Sequence, residues 1–162
     1  MKRERRKSTK KEGVVPIRNS WDVQPATEEE MKVIDKKLCE LIDQQVPFTQ
    51  ALDGNHEPVL VKNYVIKDDG KIIAGIKSDV YGWKILYIEL LFVEEAHRHK
   101  ALGSFLLNKV EAEAKSMGAR LAHLDTFDFQ AKDFYLKHGY EVYGALEDCP
   151  PGHKRYHLKK VL

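Results

Sequence analysis

The chain has 162 residues, 43% of them apolar and 32% charged, enough for one globular domain with a proper core. No apolar run approaches the roughly 18 to 20 residues of a membrane span, and the charged N-terminus lacks the apolar segment of a secretory signal. Cys39 and Cys149 lie far apart without Cys-x-x-Cys spacing. Free thiols and a cytoplasmic location are therefore expected, with neither a disulfide framework nor a zinc site.

The net charge of +2 is unevenly spread. Met1 to Gly13 carry Lys2, Arg3, Arg5, Arg6, Lys7, Lys10 and Lys11 against Glu4 and Glu12, a local +5 that leaves the rest of the chain at −3. Residues 1–13 thus read as a basic tail, disordered in isolation, ahead of a single domain over 14–162. Such a tail can tether the protein to nucleic acid or an acidic surface, or be a solvated extension. No aromatic residue interleaves its charges, so a single-strand stacking platform is not expected.

Val14 to Arg18 reads as a short extended segment. Thr27-Glu28-Glu29-Glu30 has the form of a capping box. The helix it opens carries Met31, Ile34, Leu38, Leu41 and Ile42 at spacings of three and four, an apolar stripe. Pro47 ends it, and Gln50 to Pro58 is loop-like around Asp53-Gly54-Asn55. Strands near Val59–Ile66 and Lys71–Ser78 flank Asp68-Asp69-Gly70, a hairpin signal. Tyr81-Gly82-Trp83 then turns the chain into an apolar strand from Leu86 to Val93, interrupted by Glu89.

That strand leads through a polar, basic turn into an amphipathic helix beginning at Gly103-Ser104. A helix N-terminus carries unpaired N–H groups and the positive end of the helix dipole. Arg98, His99 and Lys100 add charge there, and the turn is expected to hold a phosphate-bearing ligand. The helix runs from Ser104 to about Met117, capped by Gly118. Arg120 to Thr126 reads as a strand and Asp128 to Tyr140 as a short helix ending at Gly139. Glu141–Gly144 and Lys154–Lys160 read as closing strands around Pro150-Pro151-Gly152. The order implies an α/β layered fold: an early helix, an antiparallel meander, then a strand-helix-strand-helix-strand unit.

Two motifs carry a resemblance. Arg98-His99-Lys100-Ala101-Leu102-Gly103 resembles motif A of the GNAT (GCN5-related) N-acetyltransferases, in which Arg/Gln-x-x-Gly-x-Gly/Ala wraps the pyrophosphate of acetyl-CoA. Ala101 stands where the family usually has Gly. Ala tolerates helical dihedrals, so weaker coenzyme binding is expected, not loss. Asp128-x-x-Ala131-x-x-Phe134-Tyr135-x-x-x-Gly139-Tyr140 is similar to motif B, with Asp128 for the common Asn and Tyr140 for the common Phe. The two occur in the family's order and span about Tyr87 to Tyr143.

The resemblance implies the acyl-CoA N-acyltransferase fold, a mixed, mostly antiparallel central sheet flanked by helices. It also implies acetyl-CoA as cosubstrate. The coenzyme would be held by Arg98, His99, Lys100, Ala101, Leu102, Gly103 and Ser104, with Asp128 and Phe134 from motif B. Backbone groups of Leu91, Phe92 and Val93 would pair with the pantetheine arm and stabilise charge on the thioester oxygen. Transfer to an amine further needs a proton for the leaving thiolate. A Tyr of ordinary pKa about 10 suits that task, and the family position is Tyr135. The alternative for this residue is a core aromatic beside Phe134.

Glu89 is the candidate base, because an unpaired carboxylate inside an apolar strand has a raised pKa. A surface-facing or salt-bridged Glu89 is the alternative. His123 and Asp125 read as structural before catalytic. Trp21, Tyr81 and Trp83 could line an acceptor pocket or simply pack. The loop Asp148 to Tyr156 is of the sort the family sets around the acceptor. His97, His99, His138, His153 and His157 have no metal-ligand spacing, and no metal is expected.

An acidic body favours a cationic acceptor, hence a small-molecule amine, with direct transfer in a ternary complex. Rival readings are a protein or peptide N-acetyltransferase, and a non-catalytic coenzyme-binding module tethered by its tail. The family resemblance also admits a homodimer, and no membrane partner is expected.

Overall fold

The computed structural model describes residues 24–45, 60–81 and 83–162. The readings made at Met1–Gly13, Val14–Arg18, Trp21, Pro47, Gln50–Pro58 and Gly82 lie outside the described residues. The chain divides into two compact units, Met1–Lys37 and Leu38–Leu162.

Helix α1 (Glu28–Gln45) begins at the expected capping box. The Glu30 N–H donates to Thr27 Oγ1, and Glu30 Oε2 accepts from the Thr27 N–H at 2.8 Å. Three glutamates in its first turn complement the dipole. Of its stripe, Met31, Ile34, Leu38 and Leu41 are exposed.

The remaining elements are β1 (Leu60–Val61), β2 (Tyr64–Asp68), β3 (Lys71–Tyr81), β4 (Ile85–Val93), α2 (Leu102–Ser116), β5 (Leu121–Phe127), α3 (Lys132–Lys137), β6 (Glu141–Glu147) and β7 (Lys154–Val161). The sheet order is β1-β3-β4-β5-β7-β6, with β2 also pairing β3. All pairings are antiparallel except β4 with β5. This is the α/β layered, mostly antiparallel arrangement expected. Asp69 and Gly70 both take positive φ at the β2–β3 hairpin, as a type I′ turn requires.

Helix α2 supplies the centre of the core. Its Leu106, Leu107, Val110 and Ala114 cluster with Ile76 and Val80 of β3, Leu86 and Ile88 of β4, Leu124 of β5 and Leu158 of β7. Each large side chain so buried contributes about 1.5–3 kcal/mol. Both helices after β4 end alike. The Gly118 and Ala119 N–H groups bond back to Lys115 and Ala114, and those of Gly139 and Tyr140 to Leu136 and Tyr135. With Gly118 and Gly139 at positive φ, these are Schellman caps.

One irregularity positions the site. Lys77 and Ser78 of β3 pair with Leu90 and Ile88, leaving Glu89 as the extra residue of a β-bulge. The bulge shifts the strand's alternation by one. Leu86 and Ile88 face the core before it, while Leu91 and Val93 pack against the core after it.

Candidate active site

Strands β4 and β5 part company where the bulge falls. Their parallel pairing covers only Ile85–Ile88 against Leu121–Leu124. Beyond it β4 stays on β3 as far as Val93, and β5 stays on β7 as far as Phe127. Facing edges of Glu89–Val93 and Asp125–Phe127 are left without ladder partners, and a wedge opens in the sheet.

Which amides face the wedge follows from alternation. The Glu94 N–H donates to the Ile73 carbonyl, on the β3 side. Residues one step away point the other way, so the N–H and C=O of Val93 and Leu91 face the wedge. Arg98 Nε accordingly reaches the Val93 carbonyl at 3.2 Å. Phe92 is in the opposite phase. Its backbone groups are turned to β3, which corrects the expectation that all three residues offer amides to a ligand.

The chain leaves β4 through a 3-10 turn, Glu95–His97, and reaches α2 through two left-handed residues, His99 (φ 62°) and Ala101 (φ 59°). Ala101 is the N-cap of α2 and supplies no side-chain cap. The first helical bond runs from the Phe105 N–H to the Ala101 carbonyl, so the amides of Leu102, Gly103 and Ser104 have no intrahelical acceptor. The expectation of helical dihedrals at Ala101 is thus corrected. Here the family's Gly relieves backbone strain as well as making space.

Gly103 joins the two motifs. A Cβ there would sit in ordinary contact with Phe134 Cζ at 3.4 Å and Val93 Cγ2 at 3.6 Å, so the start of α2 packs directly beside α3 and β4. The ring of His138, at the end of α3, lies on Phe134 with centroids 4.3 Å apart. It bonds the Phe134 carbonyl through Nδ1 at 2.7 Å and Ser104 Oγ through Nε2 at 2.9 Å.

Tyr135 is the only buried residue of α3, with its ring edge-on to Phe134 and Tyr140. Burial first, and then the Asp125 carboxylate, push its hydroxyl up to about 12. Both readings of Tyr135 therefore survive in geometry: it is a core aromatic and carries a hydroxyl held in its neutral form.

At Glu89 the structure takes the surface-facing, salt-bridged alternative and not the unpaired carboxylate: Lys77, across the bulge on β3, meets it at 2.5 Å, and both side chains are well exposed. Asp128 is likewise committed. It bonds His153 Nδ1 at 3.0 Å and the Lys154 N–H at 3.3 Å, clamping the β6–β7 loop to the end of β5.

The sheet also carries residues in a network that the sequence left scattered. Arg155 Nε holds Asp125 at 2.7 Å, and Tyr87 Oη approaches the other Asp125 oxygen at 3.5 Å. His123 stacks on Tyr87 and shares a 2.8 Å hydrogen bond with Tyr81. Burial lowers the His123 imidazole below its usual range and raises the Tyr81 and Tyr87 hydroxyls. Asp79, opposite Tyr87 on β3, keeps one sealed oxygen without a hydrogen-bond partner. Nothing in the sequence pattern sets Tyr87, Arg155 or His138 apart as site residues. Only the i+4 spacing of His138 from Phe134 on the motif B helix signalled a contact.

The residues present fit a coenzyme A thioester. The first turn of α2 offers free amides, the turn before it carries Arg98, and the wedge offers an open strand edge. Fold and site together define an acyltransferase whose acyl group arrives on a coenzyme. The chain belongs to the acetyltransferase (GNAT) family, whose model matches residues 23–140.

Among curated proteins it is similar to blasticidin-S acetyltransferase of Streptomyces morookaense, at 34% identity over 78% of this chain and 96% of that protein. Among solved structures it is similar to an acetyltransferase from Bacillus cereus ATCC 14579, at 36% identity and a TM-score of 0.73, covering 88% of this chain and 98% of that one. An aminoglycoside 6'-N-acetyltransferase complexed with coenzyme A shares the fold at 18% identity and a TM-score of 0.57, over 83% of this chain and 94% of that one. The protein is an acetyl-CoA-dependent acetyltransferase. No helix among the described residues is long and apolar enough to cross a membrane.

Proposed function

We propose that the enzyme acetylates a primary amine of a small molecule by direct transfer within a ternary complex. The observation that carries the reading is the four-residue limit of β4–β5 pairing, which leaves the Leu91 and Val93 amides open on one edge of the wedge and, on the other, Asp125, whose charge acts on the Tyr135 hydroxyl. The blasticidin-S acetyltransferase relative, matched over nearly its whole length, supports a small-molecule acceptor.

Bound acetyl-CoA supplies an activated acetyl thioester. Around it, the α2 amides and Arg98 hold the diphosphate, and the wedge-facing N–H groups stabilise charge on the carbonyl oxygen. Tyr135 is the acid. With its pKa near 12 and a thiol near 8.5, complete proton transfer as an isolated step would be uphill by roughly 5 kcal/mol. Tyr135 therefore acts as a hydrogen-bond donor to the leaving sulfur, its proton moving late. Glu89, at the mouth of the wedge, takes the amine proton through water, with Lys77 orienting its carboxylate.

The test is thiol release by the purified protein on a panel of small amines and of peptides. Turnover confined to small amines upholds the reading. Turnover confined to peptides, or none despite coenzyme binding, overturns it.

A further inference from the structure

We propose that His138 is a positioning residue for the phosphate-binding turn, its protonation deciding which way the Ser104 hydroxyl points. The inference rests on reading the start of α2 as the coenzyme diphosphate site. A backbone carbonyl can only accept, so the 2.7 Å contact with the Phe134 carbonyl puts a proton on Nδ1. In the neutral imidazole Nε2 then has only a lone pair, and at 2.9 Å the Ser104 hydroxyl must donate to it. Ser104, the third residue of α2, has thereby spent its one proton on His138. It offers a diphosphate nothing but oxygen lone pairs, where phosphate oxygens also only accept.

Protonation reverses this. The imidazolium donates from Nε2 to Ser104 Oγ, and the freed Ser104 O–H turns to a phosphate oxygen beside the unpaired Leu102, Gly103 and Ser104 amides. One proton is taken up from solvent and one hydrogen bond to the anion is gained. By linkage, diphosphate binding and His138 protonation strengthen each other equally. The ionisable groups on the surrounding elements are Arg98, His99 and Lys100 in the turn, Lys109, Glu111, Glu113 and Lys115 on α2, and Lys132, Asp133, Tyr135 and Lys137 on α3. No ionisable side chain among them bonds or pairs with the His138 ring, whose partners are the Phe134 carbonyl and Ser104 Oγ, and Glu111 is committed to Tyr140 and Lys160.

Dephospho-coenzyme A is the probe, because it keeps the diphosphate but lacks the 3'-phosphate, whose own proton titrates near pH 6. Calorimetry of its binding in two buffers of different ionisation heat measures proton uptake directly. The wild type should take up a substantial fraction of one proton near neutral pH, and its Kd should weaken about tenfold from pH 6 to pH 8, the worth of one charge-assisted hydrogen bond. Ser104→Ala and His138→Gln, each checked for an unchanged circular-dichroism spectrum, should still bind but with the uptake and the pH slope gone. Uptake that persists in Ser104→Ala, or that vanishes in His99→Gln while persisting in His138→Gln, overturns the inference. Failure of the folded wild type to bind the probe at any pH overturns the diphosphate site itself, and this inference with it.

Discussion

Replacing Ala101 with Gly tests the reading of the coenzyme turn most directly. Ala101 sits at φ 59°, ψ 11°, where a Cβ crowds the backbone at about 1–2 kcal/mol per residue. Gly removes that strain but leaves the unfolded chain more freedom to lose, about 0.5–1 kcal/mol. The preference of N-caps for Gly over Ala has the same sign and largely the same origin, so it is not added again. The net expectation is a stabilisation of about 0.5–1 kcal/mol. For a chain of this length that is a rise in Tm of about 2 °C, measurable by scanning calorimetry without ligand and by urea unfolding. Losing the methyl should also tighten coenzyme A binding. A lower Tm would refute the left-handed assignment, and an unchanged Kd would refute the steric part.

Other substitutions and conditions probe the remaining parts. Tyr135→Phe should lower kcat by about ten- to ten-thousand-fold, as removal of a general acid does, with the KM for acetyl-CoA little changed; a normal kcat removes Tyr135 from the chemistry. In Glu89→Gln the rate defect should be largest near pH 7 and shrink toward pH 10, where the acceptor amine is already neutral. A defect independent of pH would assign Glu89 to binding or structure. The raised Tyr135 hydroxyl also predicts alkaline lability. It binds its proton more tightly folded (about 12) than unfolded (about 10), so its stabilisation is complete below pH 10 and is lost as pH rises through 12. Two units at 1.36 kcal/mol each give about 3 kcal/mol in full, of which about 2 kcal/mol is lost by pH 11.5, to be read from urea unfolding between pH 8 and 11.5; a flat profile would contradict it. Lys160→Met strips Glu111, 8% exposed, of its ammonium partner and should destabilise by about 3 kcal/mol, with a loss under 0.5 kcal/mol refuting the importance of the pair.

Much of this protein is written in local signals. The Thr27–Glu30 box, the Asp69-Gly70 hairpin, the Gly118 and Gly139 caps and the turn from β4 into α2 each depend on residues within a few positions. Hydrogen bonds and dihedral preferences over that range need no knowledge of the rest of the chain. The two motifs, in order, therefore announced the fold and the coenzyme.

What tertiary structure decided is everything that depends on register between distant segments. Glu89 read as a lone carboxylate in an apolar strand. A bulge across β3 instead brought Lys77 to it and, by shifting the alternation, turned the Leu91 and Val93 amides toward the wedge and Phe92 away. Asp128 read as a coenzyme residue, but the β6–β7 loop folds back to occupy both its oxygens. His138 and Ser104, 34 residues apart, meet only because the start of α2 packs beside α3, Gly103 against Phe134. A strand's partner and phase are set by the packing of the whole sheet, and no window of the sequence contains that sum.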